Sequence, residues 1–542
     1  ERRRGARRPR GRAGRGGGAV TTRVEPGRPR VRGRDDGGRP GRLGALRRWL
    51  AGRSDQQVFA ACLAGIALGI GLFLVVPLLP QFGPIHKLPT NLDYNASGKP
   101  EGQVTGFWLL AMGSFGAAVW QWRRGRRPGL PLLVAGVVVL TALALLVPPV
   151  ASEDVYAYSF YGKVQLAYGA NPYLSIPAQH PFDPWYPLWS WRFVGPVYGP
   201  PFLLLLRGVA VLAGPSLLAW VIWMKLLLVA AELAAIWVLV RVARDRGGDP
   251  GWPLLLVGCN PMVLQAVAMS AHVDALLLLL VAGALLAHGR GRHLVAFTLL
   301  VLAFLVKLYL GPLAGLYGLW LAFGREPGRP LARRLGVFAG LGALGAAVTG
   351  LSYLPYAGAG TRVVSSILDV GEHFSTGSLP NLVRRGLAWL LPAAFGVVDT
   401  SAARVGAEAG RILSAVAITV ALALAARRVA RSGDPWPAMA TWFLAYLLLT
   451  PWIFYWHELP LLAMVAVLPW SLTSLVAVVL SVNLVPILPQ VRGVATTGPT
   501  AARELGNTAV GLVSRYGGAL ATLAAGLLAR RRSARAPLAP GP

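Results

Sequence analysis

Residues 273–307 read VDALLLLLVAGALLAHGRGRHLVAFTLLVLAFLVK: an apolar run, a turn carrying Arg290, Arg292 and His293, and a second apolar run closed by Lys307. Runs of about 17–25 such residues are what crosses a hydrocarbon core of about 30 Å. The pattern recurs along most of the 542 residues, of which 55% are hydrophobic and 14% charged. A soluble chain carries about a quarter charged residues. Fourteen spans can be drawn, at 57–80, 104–122, 130–149, 216–241, 252–270, 273–289, 294–307, 309–323, 335–354, 409–426, 437–451, 458–470, 472–488 and 509–529. The fold class expected is therefore all-α, a polytopic transmembrane helical bundle.

Basic clusters fall at 43–53, 123–127, 241–246, 290–293, 325–334, 427–431 and 530–535. Lys and Arg of short connections stay on the cytoplasmic side. With fourteen spans and both termini cytoplasmic, every cluster lands inside. Residues 199–213 would also pass as a span, but counting them would put Arg241, Arg244 and Arg246 outside. They read instead as a helix lying at the outer interface, opened by Pro200 and Pro201 in its first turn. Two long outer loops remain, about 150–215 and 355–408.

The net charge of +31 sits largely in the tails. Residues 1–53 hold 18 Arg against Glu1, Glu25, Asp35 and Asp36, and Arg530, Arg531, Arg532 and Arg535 follow the last span. Arg, Gly and Pro in this proportion read as disordered. The division expected is a basic cytoplasmic tail at 1–53, a membrane domain at 54–530 and a second cytoplasmic tail at 531–542. Made mostly of Arg, Gly and Pro, with Trp49 the one aromatic among them, the tails suit anionic lipid rather than nucleic acid. Cys62 and Cys259 both lie in apolar spans and form no CxxC motif.

The chemistry concentrates in the first outer loop, which begins at Ser152 as SEDVYAYSFYGKVQLAYGANPY. Glu153 and Asp154 are adjacent acids where a span meets water. Apolar surroundings and like charge raise at least one carboxyl pKa in such a pair, toward what a general base needs. The competing reading is that they simply end a helix in water. Thirteen aromatics between 151 and 198, Tyr156, Trp185, Trp189, Trp191 and Tyr198 among them, exceed an ordinary interfacial belt. Aromatic faces with scattered polar groups suit sugar rings or an isoprenoid beside a polar head. On the same side lie His272 and Asp274 in Ala-His-Val-Asp, Lys307, and Trp456 and His457 in the turn at 451–458. Ionisable groups at membrane depth are functional candidates by default. Lys307, with Lys163, is the candidate contact for a lipid phosphate; snorkelling to headgroups is its alternative. Carboxylates with water would suit a divalent cofactor, Mg or Mn, though no dense ligand cluster appears. Arg192, Lys163, Arg207, Glu372, His373 and His457 form a second tier.

Ser-Glu-Asp-Val-Tyr-Ala-Tyr at 152–158, Gly-Ala-Asn-Pro-Tyr at 169–173, Val-Tyr-Gly-Pro-Pro-Phe at 197–202, and Asn260-Pro261 followed by Ala-His-Val-Asp resemble integral-membrane glycosyltransferases of the GT-C fold. The likeness, over roughly 55–530, is to the polyprenol-phosphate-mannose-dependent α-1,6-mannosyltransferases of actinobacterial lipoglycan (lipomannan) synthesis. It implies an acidic catalytic residue in the first outer loop, at Asp154 with Glu153 beside it, and an interfacial Gly-Pro-Pro helix. It further implies a basic residue after a late span, matched by Lys307. The partners implied are a polyprenyl-phosphate-linked sugar donor, a lipid-anchored glycan acceptor and membrane lipids. The reaction implied is transfer on the extracytoplasmic face of the cell membrane. A transporter or flippase of lipid-linked sugars is the rival, and the pairs of broken helices that mark alternating access are not evident in the sequence.

Overall fold

The computed structural model describes residues 52–75, 101–149, 152, 154–189, 191–363, 373–375, 377–482 and 500–535. Glu153, Glu372, nearly all of the N-terminal tail and the final residues 536–542 lie outside them. By its contacts the chain divides into two units, Glu1–Arg53 and Ser54–Pro542, and the described helices belong to the second. Its described residues form helices and turns, as expected, with one isolated antiparallel bridge between Tyr198 and Lys307.

The order begins with α1 (Asp55–Val75), α2 (Glu101–Arg123) and α3 (Leu130–Leu146). Then come α4 (Asp154–Ala167), α5 (Pro200–Ala213) and α6 (Leu217–Asp245). A bent pair spans Gly251–Gly258 and Pro261–Met269, and α7 (Asp274–Gly289) and α8 (His293–Val306) follow. Further on lie α9 (Gly311–Leu319), α10 (Leu331–Tyr353), α11 (Leu379–Phe395) and α12 (Asp399–Val429). The chain ends with α13 (Trp436–Leu449), α14 (Leu459–Val465), α15 (Leu472–Ser481) and α16 (Thr500–Arg535). Among the described residues four helices are long and apolar enough to cross a membrane, or five if the bent pair is one span. Shorter apolar helices of 10–17 residues supply much of the remainder.

Small residues let these helices approach closely, as they must where lipid is no poorer a solvent than a neighbouring Leu. Gly65 and Gly69 of α1 face α2, where a Cβ at Gly69 would stand 2.7 Å from the Phe107 carbonyl oxygen. Gly406 and Gly410 of α12 repeat the spacing against α11, with Pro380 O 2.7 Å from a Cβ at Gly410.

Three features depart from the expectations. The span drawn at 252–270 is bent by 52° at Cys259-Asn260. Pro261 has no N–H to continue the ladder and disfavours helix at Asn260. Asn260 instead caps the second half by accepting the Met262 N–H at 3.0 Å. The loop expected at 355–408 carries α11 and the first turns of α12, and Ser378 caps α11 by accepting the Asn381 N–H at 3.3 Å. Finally, the Arg run at 530–535 continues α16 rather than forming a disordered tail, because Arg, Leu and Ala are good helix formers.

The α5 helix starts as its sequence requires, with Gly199 at the N-cap and prolines in the first turn. Gly199 is also the point of closest approach to α8. Its N–H donates to Val306 O at 3.3 Å, and an added Cβ would overlap the Leu305 carbonyl. Gly199→Ala should therefore part the Tyr198–Lys307 bridge and cost about 1–3 kcal/mol, the range for forcing atoms into a packed site. Gly208→Ala, on the same helix with open space around it, should be neutral or mildly stabilising. Thermal unfolding of the two purified variants checks this, and equal melting temperatures would refute it.

Candidate active site

Four chain segments converge at one end of the bundle. Asp154 begins α4, its N–H donating to Ser152 Oγ at 3.2 Å. His272 lies in the turn between the bent pair and α7, and Asp274 is the first residue of α7. Lys307 is the extended residue that ends α8 (φ −142°, ψ 121°). Tyr198 bridges to Lys307 just before α5.

Two acid–base pairs result. His272 Nδ1 lies 3.4 Å from Asp154 Oδ2, and the Tyr158 hydroxyl donates to the same oxygen at 3.4 Å. Lys307 Nζ donates to Asp274 Oδ2 at 2.6 Å, while the Tyr309 hydroxyl donates to Asp274 Oδ1 at 2.9 Å. His272 and Asp274 have no exposed side-chain surface, Lys307 keeps 9% and Asp154 18%. Asp154 is thus the acid that a substrate can reach.

The backbone is strained to deliver His272. Ala271 has φ 53°, one of two non-glycine residues with a left-handed backbone among those described, at about 1–2 kcal/mol for a residue with a Cβ. The imidazole then stacks on Trp456 with ring centres 3.6 Å apart. The second left-handed residue, Trp191 (φ 59°), meets His373 and Trp452 edge-on at 5.9 and 5.6 Å. Ser375 Oγ donates to Ile453 O at 2.8 Å and the Ser375 N–H to Pro451 O at 2.9 Å. The stretches 150–215 and 355–408 therefore both reach the 451–458 turn.

The structure brings together Asp154, His272, Asp274, Lys307, Tyr198 and Trp456. His457 stands at the edge, its ring 5.0 Å from Tyr309 and its Nδ1 accepting the Phe454 N–H at 3.3 Å. Tyr156 is fully buried in the core. Lys163 is held elsewhere: it pairs with Asp183 at 2.6 Å and lies 4.3 Å from the centre of the Trp185 ring. Arg192 is a strut for its own loop, donating to Trp189 O and Pro187 O. The aromatic loop mostly packs on itself. Tyr156, Tyr158, Phe160 and Trp189 are fully buried, whereas Tyr168, Phe182, Trp191 and Phe193 face outward.

Sequence reasoning passed over Tyr158 and Tyr309. Each had a visible signal: Tyr158 is four residues from Asp154, one helical turn on the same face, and Tyr309 is two residues past Lys307. The expected rise in an acid's pKa is corrected for Asp154. Burial alone would raise it, but the hydrogen bond and charge of His272, the charge of Lys307 and the Tyr158 hydrogen bond hold it below the usual carboxylate value. Lys163 likewise helps hold Asp183 low against its partial burial.

Of the residues considered for a divalent metal, Glu153 lies outside the described ones. Both Asp274 oxygens are engaged by Lys307 and Tyr309, and no three His, Cys, Asp or Glu residues converge among the described residues.

Comparison with known proteins agrees with this picture. The family model of the α-(1→6)-mannopyranosyltransferase N-terminal domain matches residues 61–323, and that of glycosyltransferase family 87 matches 197–454. The α-(1→6)-mannopyranosyltransferase A of Mycobacterium tuberculosis is 29% identical over 196 residues, 35% of this chain and 37% of the relative. A second α-(1→6)-mannopyranosyltransferase of that organism is 30% identical over 139 residues, 25% of this chain and 23% of the relative. The α-(1→6)-mannopyranosyltransferase A of Corynebacterium glutamicum is 26% identical over 267 residues, 46% of this chain and 54% of the relative. The matched stretches thus span from about a quarter to about half of these relatives' length. The resemblance read from the motifs is borne out: the chain is similar to GT-C-type mannosyltransferases of the actinobacterial kind.

The lowered pKa of Asp154 fixes a sign that stability can test. A carboxyl held below its unfolded value contributes stability that is present above that value and lost as pH falls through the folded one. The melting-temperature gap between wild type and Asp154→Asn should stay constant from about pH 8 to about pH 5 and shrink only below about pH 4. A gap already closing between pH 7 and pH 6 would restore the raised value expected from sequence.

Proposed function

We propose that this chain is a multi-pass membrane glycosyltransferase that moves a hexose, mannose by its likeness to its relatives, from a polyprenyl-phosphate donor to a lipid-anchored glycan. In this reading the fourteen apolar segments cross the membrane, both termini are cytoplasmic and Asp154 opens onto the extracytoplasmic face. Nucleotide sugars are confined to the cytoplasm, so a site on the other face calls for a donor carried by lipid. One observation carries the reading: a partly open carboxylate backed by His272, next to a cation set on a buried acid.

In the proposed reaction an acceptor hydroxyl oxygen forms a bond to the anomeric carbon. The bond from that carbon to the phosphate oxygen breaks, and polyprenyl phosphate leaves with its electron pair. Asp154 takes the hydroxyl proton as general base, and Lys307 faces the charge gathering on the phosphate. Asp274 and Tyr309 fix the Lys307 ammonium, so no reorganisation is needed as that charge develops. Tyr198 and Trp456 are the candidate walls for the sugar. Direct displacement on a β-linked donor gives an α-glycoside. No step is assigned to Lys163, which Asp183 and the Trp185 ring hold within its own loop, or to Glu153.

The flippase reading draws on the 52° bend at Asn260, since broken helices line substrate paths in transporters. Here the bend also has a local purpose, because the second half of the pair leads through Ala271 to His272.

Purified protein supplied with labelled polyprenyl-phosphate-mannose and an oligomannoside separates the readings: an enzyme elongates the acceptor, a flippase only relocates the donor. Asp154→Asn should cut turnover by about 10²–10⁴-fold, the range for a lost general base, with expression intact. Wild-type turnover in that variant would remove Asp154 from the role. Lys307 needs a paired test, because Lys307→Gln alone strands a buried carboxylate at about 3–5 kcal/mol. The double variant Lys307→Gln/Asp274→Asn should fold and fail to turn over. If it folds and elongates at the wild-type rate, Lys307 has no part in the chemistry.

A further inference from the structure

At the far end of α6 from the acid–base pairs lies a cavity of about 670 Å³, built from the α2–α3 turn, the turn after α6 and the 466–470 segment. The Trp220 indole near the head of α6 donates to Val155 O, beside Asp154, whereas Arg246 follows its last turn. At 1.5 Å per residue the two ends stand about 39 Å apart. The cavity is therefore separate from the proposed transfer site, and binding there does not depend on the transfer reaction.

Three guanidinium groups and three indoles line it. Trp122, Trp252 and Trp470 form a continuous strip, with ring centres 5.8 Å apart between the first two and 5.5 Å between the last two. Arg127 lies over Trp122 and donates through Nε to Asp249 at 2.8 Å. Arg246 pairs with Asp434 at 3.5 Å. Arg123 lies over Trp470 at 4.0 Å and has no acidic partner among the described residues. Two acids answer two of the three cations, and one exposed guanidinium, 4.0 Å over an indole, is left with its charge unanswered among the described residues.

We propose that this cavity binds the phosphate of an anionic glycerophospholipid headgroup, with Arg123 as the principal contact. A stacked guanidinium keeps its in-plane N–H groups free for bidentate hydrogen bonds to phosphate oxygens. The apolar rim at Ala466, Val467, Leu468 and Pro469 suits the glycerol and the first methylenes. Trp and Arg beside the ends of apolar helices sit at headgroup level, where basic pockets between spans take anionic lipid.

Purified full-length protein in neutral detergent, incubated with equimolar phosphatidylglycerol and phosphatidylcholine, provides the test by native mass spectrometry. Wild type should retain phosphatidylglycerol about tenfold over phosphatidylcholine, because both carry a phosphate but only phosphatidylcholine brings a trimethylammonium group that the unanswered Arg123 charge repels. Arg123→Gln should abolish that preference, and Arg123→Lys, which keeps the charge but not the fork, should fall between. Arg333→Gln removes the same charge from another basic turn and should leave the preference unchanged. Equal retention of the two lipids by wild type would overturn the proposal, and so would an Arg123→Gln protein as selective as wild type. A parallel arm adds millimolar inorganic phosphate or glycerol phosphate to wild type. Displacement of the lipid by either at lipid-equivalent concentration would make this a site for soluble anions and refute the lipid assignment. Should Arg123→Gln fail to fold, Arg123→Lys carries the test, and a Lys variant as selective as wild type would overturn the proposal.

Discussion

The Asp274–Lys307 pair is the constraint on which the site is built. A carboxylate with no exposed surface cannot stay charged in a helical bundle without a partner at hydrogen-bond distance. Lys307 supplies that partner at 2.6 Å. Satisfying Asp274 pins the end of α8 to the start of α7 and leaves Lys307 extended rather than helical. Extended backbone at that point can form the bridge with Tyr198, so the aromatic loop is fastened to the bundle by the same contact. Gly199 comes next in the chain, because the approach leaves no room for a Cβ. Three residues before Asp274, the left-handed Ala271 turns His272 toward Asp154.

Much of the fold could be read in the sequence, since apolar length answers directly to bilayer thickness. Each segment drawn as a span contains helix, and Pro200 and Pro201 open α5 where they should. What could not be read is non-local. Asp154 and His272 are more than a hundred residues apart, as are Asn171 and Tyr356, whose carbonyl accepts from the Asn171 side chain. Nothing in either local sequence announces the other. Lys163 illustrates the same limit. A lysine in the loop that carries Asp154 suggested a phosphate contact, but Asp183, twenty residues on, holds it within that loop. The aromatic loop misled in another way. An aromatic that stacks on sugar and one that fills a core have the same composition, and here most fill a core.

The bend at Asn260 shows how a local rule was outweighed by hydropathy. Asn-Pro is a recognisable helix interruption, yet unbroken apolarity from 252 to 270 argued for one straight span. Both readings hold in part. The segment is largely apolar and buried throughout, while Asn260 turns the chain and binds Ser481 through its side-chain amide at 3.1 Å. Polar residues at such a break need partners inside the protein, and Asn260 finds two.

The lowered pKa of Asp154 bears on how it could serve as a base. A carboxyl tuned near neutrality would be the stronger proton acceptor, but in an apolar cleft it would be protonated much of the time. Asp154 trades basicity for permanent ionisation: His272, Lys307 and Tyr158 favour the charged form enough to outweigh burial. A weak base suffices where the acceptor oxygen becomes acidic as it bonds to an electron-poor anomeric carbon, since the proton then leaves late. The geometry agrees. Tyr158 and His272 both address Oδ2, which leaves Oδ1 for a hydroxyl, whereas both oxygens of Asp274 are spent on Lys307 and Tyr309. Of the two carboxylates near His272, only one has an oxygen to offer, and it is the one with exposed surface.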